Sequence, residues 1–127
     1  MRSWPRLPYV PQDPAARDAR CREVFDIQVQ GLVKRLRFAG LRRVVIGVSG
    51  GLDSTHALLV CARAMDRLGR PRRDILAWTM PGFATSDRTL AQARELMRVV
   101  GCSVGEIDIR PACTQVLRDI EIGRAHV

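Results

Sequence analysis

Aromatic residues make up only 5% of this 127-residue chain, and a single lysine, Lys34, stands among its 21 basic residues. The shortage of aromatics weighs against single-stranded nucleic acid, whose bases stack on exposed rings. The formal charge of +8 would otherwise invite such a partner. It is carried by scattered arginines, and this arginine-for-lysine skew is what a GC-rich genome produces. No apolar run approaches the roughly twenty residues that a membrane span needs. Prolines at 5, 8, 11 and 14 occupy the place of a signal peptide's apolar stretch. The expectation is a cytoplasmic protein with neither a nucleic-acid nor a membrane partner. Cysteine is also sparse in pattern. Cys21, Cys61, Cys102 and Cys113 form no C-x-x-C pair, and no histidine is near enough in sequence to complete a zinc site. They are expected to be structural thiols in a reducing compartment. His56 and His126 have no partner pattern, and His56 is expected at the surface.

What is present is an alternation of two periodicities. Residues 1–13 are proline-rich and are expected to be an extended linker. Asp13 and Pro14 make an N-cap and a first helical residue. The spacing of Phe25, Val29, Leu32, Val33 and Leu36 predicts a helix to Ala39, with Gly31 a weak point within it. A strand is expected over Arg43–Val48 and a helix over Ser54–Leu68 that buries Leu58, Leu59, Ala62 and Met65. A second strand is expected over Ile75–Met80, then a helix capped by Ser86 with Leu90, Ala93, Leu96, Met97 and Val100 on one face. A third strand should cover Val104–Ile109, with a last helix opening at Pro111 and running to Ile120. Strands alternating with helices imply an α/β fold: a partial, doubly wound parallel sheet of three strands with flanking helices. Right-handed crossovers should put helices on both faces and a ligand at the carboxyl ends of the strands.

The first strand exit is the most informative segment. Val44, Val45, Ile46 and Val48 are β-branched, and the run stops at Ser49-Gly50-Gly51 before Asp53, Ser54 and Thr55. A buried strand feeding a glycine turn and a helix start aims unpaired N–H groups and a helix dipole at one spot, which suits phosphate. The loop is not a Walker A loop, because Asp53 stands where a lysine would be needed, and it lacks the Gly-x-Gly-x-x-Gly spacing. An acid inside a phosphate cradle points to a bridging divalent cation, so Asp53 suggests Mg2+. The second strand exit, Thr79 to Ser86, is small and polar. Backbone groups at Thr79 to Pro81 could read a purine edge while Met80 packs on its face.

The Ser49–Ser54 run resembles the SGGxDS loop of the ATP pyrophosphatases (PP-loop enzymes, adenine nucleotide alpha hydrolase-like in fold). Further runs carry the likeness: TMPGFATSDRT from Thr79, EIDIRPA from Glu106, and the segment from Tyr9 to Leu36. Together these resemble the synthetase domain of glutamine-dependent NAD synthetase over nearly all of Tyr9 to Ile120. The resemblance implies ATP-dependent amidation of nicotinic acid adenine dinucleotide through an adenylated intermediate, with ammonia or glutamine as nitrogen source. It implies ATP and Mg2+ as cofactors and a homo-oligomeric full-length enzyme. Gly47, Val48, Ser49, Gly50, Gly51, Leu52, Asp53 and Ser54 would bind the ATP phosphates, with Asp53 at the metal and Thr55 supporting the loop. Thr79 and Met80 would lie at the adenine. No residue would act as a covalent nucleophile, since positioning and charge neutralisation carry the reaction. Residues 14–120 would form the N-terminal part of that domain, inactive by itself. Residues 121–127 would be a non-native tail, because Ile122–Val127 resembles a translated sequencing adapter. The alternative is a stand-alone nucleotide-binding or sensor module of the PP-loop fold.

Overall fold

The computed structural model describes residues 9–120, so the expected tail at 121–127 and the first eight residues of the expected linker lie outside it. Helix α1 spans Pro14–Phe38. Asp13 caps it by accepting the Ala16 N–H at 2.7 Å, and Pro14 sits where a missing N–H costs nothing. Strand β1 (Val44–Gly47), helix α2 (Leu52–Arg67), a short 3-10 turn (Arg72–Asp74) and strand β2 (Ile75–Thr79) follow. Helix α3 (Asp87–Val100) ends on Gly101 in the left-handed region at φ 85°, and strand β3 (Ser103–Glu106) and helix α4 (Arg110–Asp119) complete the order. Expectation and structure differ most at two boundaries. Helix α2 starts two residues early because Gly51 serves as its N-cap, which brings Leu52 and Asp53 into the first turn. Strand β3 ends at Glu106, yet the chain still tracks β2: the Ile107 N–H donates to Thr79 O at 3.0 Å and the Ile109 N–H to Pro81 O at 3.2 Å.

The three strands are parallel in the order β1-β2-β3, with Val44 beside Ile75 and Ala77 beside Val104. Sequential order with right-handed crossovers places both connecting helices on the same face. That face presents Val44, Ile46, Val48, Ile75 and Ala77, which join Leu58 and Met65 of α2 and Ala93 and Met97 of α3 in one core. Helix α1 lies behind α2, where Val29 and Val33 meet Val60 and Ala64 in a second cluster. This corrects two expectations. Among the described residues the covering helices lie on one sheet face rather than both, and Val45 on the other is 72% exposed. Helix α2 also buries two stripes rather than one, so Val60 and Ala64 are inside while Leu59 is 43% exposed. Helix α4 has no buried residue, and Val116, Leu117 and Ile120 remain exposed.

Ion pairs tie the elements at their edges. Arg67 reaches Asp26 at 2.7 Å across the α1–α2 contact. Arg72 grips Asp66 through Nε at 2.9 Å and Nη2 at 2.8 Å, and its Nη1 reaches Val100 O at 3.3 Å. That hydrogen-bonded guanidinium holds the Asp66 carboxyl below its ordinary pKa. Arg94 holds Glu106 bidentately, joining α3 to β3. Asp108 is drawn down to about 2 by the side chain and backbone N–H of Arg110 at the start of α4.

Two glycines give opposite expectations. A Cβ at Gly31 meets nothing within 4 Å, so Gly31→Ala should stabilise the chain by about 1 kcal/mol through helix propensity. A Cβ at Gly105 would stand 2.3 Å from the Trp78 ring, so Gly105→Ala should cost about 1–3 kcal/mol as the indole is displaced. Urea unfolding of the two variants should move the midpoint in opposite directions.

Candidate functional site

The site begins where the sheet ladder ends. The Val48 N–H donates to Trp78 O at 2.7 Å, and past this rung β1 and β2 part. Ser49 to Gly51 then turn the chain into α2, with Gly50 at φ 84°. No side chain caps α2 at Gly51. The helix ladder takes up the Thr55 N–H, which donates to Gly51 O at 3.1 Å, and the N–H groups of Leu52, Asp53 and Ser54 ahead of it form the open first turn.

Hydroxyl groups brace this turn from within. Ser54 Oγ accepts the Ser49 N–H at 3.2 Å, lies 3.0 Å from Ser49 Oγ, and donates to Gly51 O at 3.2 Å. Ser49 Oγ accepts the Gly51 N–H at 3.2 Å, and Thr55 Oγ1 donates to Gly51 O at 2.8 Å. With Ser49, Ser54 and Thr55 so occupied, what the loop presents to a ligand is chiefly backbone N–H. An anion is the natural partner for such a surface at a helix N-terminus.

Between the loop and α3 lies a cleft of about 390 Å³. It gathers five of the residues singled out from the sequence: Gly47, Val48, Ser49, Thr79 and Met80. Gly50, Gly51, Leu52, Asp53, Ser54 and Thr55 do not line it and form the loop and helix start beside it. Thr79 is the buried polar residue of its floor, at 3% exposure. Met80 lies over Gly47 so closely that a Cβ there would stand 2.9 Å from the Met80 methyl. The carbonyls of Thr79 and Pro81 are engaged by Ile107 and Ile109, so they face the β3 edge rather than a purine. The Met80 N–H has no backbone partner among the described residues.

The far wall is formed by Ala84 and Thr85 of the second strand exit and by Thr89, which sequence reasoning did not place at the site. Thr85 and Ala84 belong to the small, polar strand exit that signalled a ligand loop. Thr89 gave no signal, because its proximity depends on how α3 leans on the loop.

Asp53 is exposed in the first turn of α2, and no group of three or more histidine, cysteine or acidic residues forms a metal cluster among the described residues. All four cysteines are free, and burial pushes the Cys61 and Cys102 thiols up, as suits packing residues. His56 is on the surface but anchored, 2.5 Å from Gln28 Oε1 and edge-on to the Phe25 ring. No described helix is long and apolar enough to cross a membrane.

Residues 24–126 match the model of the NAD synthase family. The glutamine-dependent NAD(+) synthetase of Mycobacterium leprae is 57% identical over 120 residues, covering 94% of this chain and 18% of that protein. Among solved structures, NAD+ synthetase from Burkholderia pseudomallei is 29% identical with a TM-score of 0.64, covering 84% of this chain and 46% of that one. A glutamine-dependent NAD+ synthetase from Acinetobacter baumannii in complex with ADP shares the fold, with a TM-score of 0.72 at 22% identity over 83% of this chain and 19% of that one. The chain belongs to the NAD synthase family, and it spans about 18% of the length of the glutamine-dependent relatives it matches.

The hydroxyl bracing is open to a direct test. Ser54→Ala leaves the Ser49 N–H without its acceptor, so hydrogen exchange at the Ser49 amide should accelerate about fivefold, the equivalent of a net hydrogen bond of about 1 kcal/mol. Amides in the core strand Ile75–Thr79 should keep their protection.

Proposed function

We propose that the chain binds ATP with magnesium, as the nucleotide-binding part of an enzyme that amidates nicotinic acid adenine dinucleotide to NAD. The observation that carries this reading is the open row of N–H groups at Leu52–Ser54, set beside a cleft with an apolar lining. The phosphates would lie against those N–H groups and the α2 dipole. The base would enter the cleft, where the Met80 N–H offers a donor to a ring nitrogen and the Met80 thioether covers a face. The engagement of the Thr79 and Pro81 carbonyls leaves this narrower set of contacts than the sequence suggested.

The donor set fits magnesium in one particular way. Asp53 supplies a single exposed carboxylate beside the N–H row, too little for a protein cage but suited to a cation that also takes phosphate oxygens and water. Magnesium so held would neutralise phosphate charge. In the reaction, the dinucleotide's carboxylate attacks the α-phosphorus, pyrophosphate leaves, and ammonia then displaces AMP to give the amide. Glutamine is the proposed ammonia source, by likeness to relatives named for it. The chain's own residues would hold the triphosphate in line and stabilise the leaving pyrophosphate, contributions of position and charge rather than of a covalent nucleophile.

Calorimetric titration with ATP and magnesium tests this directly. Asp53→Asn should weaken magnesium-dependent binding by about tenfold, roughly 1.4 kcal/mol, because a neutral amide is a poorer ligand for a hard cation. Superimposable isotherms for the two proteins would remove Asp53 from the metal.

A second measurement concerns turnover. The chain spans 18% of the length of its glutamine-dependent relatives, and the resemblance implies that this part of the domain is inactive by itself. Incubation with ATP, nicotinic acid adenine dinucleotide and ammonium should therefore form no NAD above background, and measurable NAD would show that these residues suffice.

A further inference from the structure

We propose that Thr89 is a positioning residue, setting the distance between the phosphate loop and the nucleobase cleft; this rests on the nucleotide reading above. The first observation is the tightness of the contact between the loop and α3. A Cβ at Gly50 would stand 2.5 Å from the Thr89 carbonyl oxygen, 3.2 Å from its Cγ2 and 3.4 Å from the Ala93 backbone nitrogen. The loop backbone therefore rests on the first turns of α3 with only a hydrogen between them. Ala93 is fully buried there, and its small side chain lets the two backbones approach. The second observation is that Thr89 also lines the cleft. One residue thus touches both halves of the site.

Helix α3 is a firm support for such a role. Ser86 Oγ accepts the Thr89 N–H at 3.2 Å and lies 2.7 Å from Thr89 Oγ1, so the hydroxyl of Thr89 belongs to the helix cap. The Arg94–Glu106 pair joins the helix to β3 and the Arg72 contact to Val100 O holds its far end. Two atoms of Thr89 meet Gly50: its carbonyl oxygen, the nearer, which no substitution removes, and its methyl group, which is the part of the side chain that faces the loop while the hydroxyl turns to the cap. Substitutions can therefore separate the cap from the spacer. A ligand that occupies only the loop, or only the cleft, is indifferent to the spacing between them. A ligand that spans both is not.

The test measures binding of ATP–magnesium, pyrophosphate–magnesium and adenosine to the folded chain and to three variants. Thr89→Ala and Thr89→Ser, which lose the methyl, should weaken ATP by about tenfold while changing pyrophosphate and adenosine by less than about threefold. Thr89→Val keeps a methyl toward Gly50 and loses the cap bond. It should bind ATP within about threefold of the parent although its melting temperature falls. Equal weakening of all three ligands, or a Thr89→Ser chain that binds ATP like the parent, would overturn the positioning role and leave the nucleotide reading standing. A folded parent chain that binds no ATP would overturn that reading and this inference with it. Should Thr89→Ala not fold, the serine and valine variants decide the question alone.

Discussion

The hydrogen bond from the Val48 N–H to Trp78 O, at 2.7 Å, is the point from which the site is organised. Up to that rung β1 and β2 satisfy one another. Beyond it the strands part, and the freed backbone groups must find other partners or water. On the β1 side the chain turns at once into a helix whose first N–H groups no side chain caps. On the β2 side it runs outward through Met80 and Pro81, held by Ile107 and Ile109 against the β3 edge. The cleft is the gap between these two departures. The backbone that lines its loop side is the backbone that left the ladder.

Packing fixes the elements on either side of this gap. Helix α2 carries two apolar stripes, one on the sheet and one on α1, so the helix whose N-terminus opens beside the cleft is held from two sides. Leu58 and Met65 are fully buried on the first of these, each contributing about 1.5–3 kcal/mol by burial. The ion pairs of Arg67, Arg72 and Arg94 act farther out and are partly exposed, so their energetic share is small and their effect is on alignment. Three of the 21 basic residues are thereby engaged in joining elements of the fold.

The loop itself is stiffened by hydroxyl groups that face inward. Ser49, Ser54 and Thr55 hydrogen-bond to the backbone they belong to and to one another, which leaves N–H donors as its outward chemistry. Preorganised donors of this kind need little rearrangement when an anion arrives, and this is where a site that works by position gains its advantage. Asp53 is the exception, an outward carboxylate among donors, and the magnesium proposed above would give it a physical reason to be there.

Much of this was legible in the chain. The β-branched run to Val48, the glycine turn and the helix start are local patterns, because a strand's alternation, a glycine's freedom at positive φ and an uncapped helix end are properties of neighbouring residues. So were the N-caps at Asp13 and Ser86 and the buried stripe of α3. The placement of helices on a single sheet face, the second buried stripe of α2 and the approach of Thr89 to Gly50 were not. Each depends on residues distant in sequence meeting at a particular angle, and hydrophobic periodicity tells only that a face is buried, not what buries it. The sequence by itself determined the alternation of strands and helices, the family, and the glycine turn that opens into an uncapped helix start. Tertiary structure alone decided which face of the sheet is covered, which backbone carbonyls at the second strand exit remain free, and how far the loop stands from the cleft wall. Those are distances between separate elements, and only packing sets them.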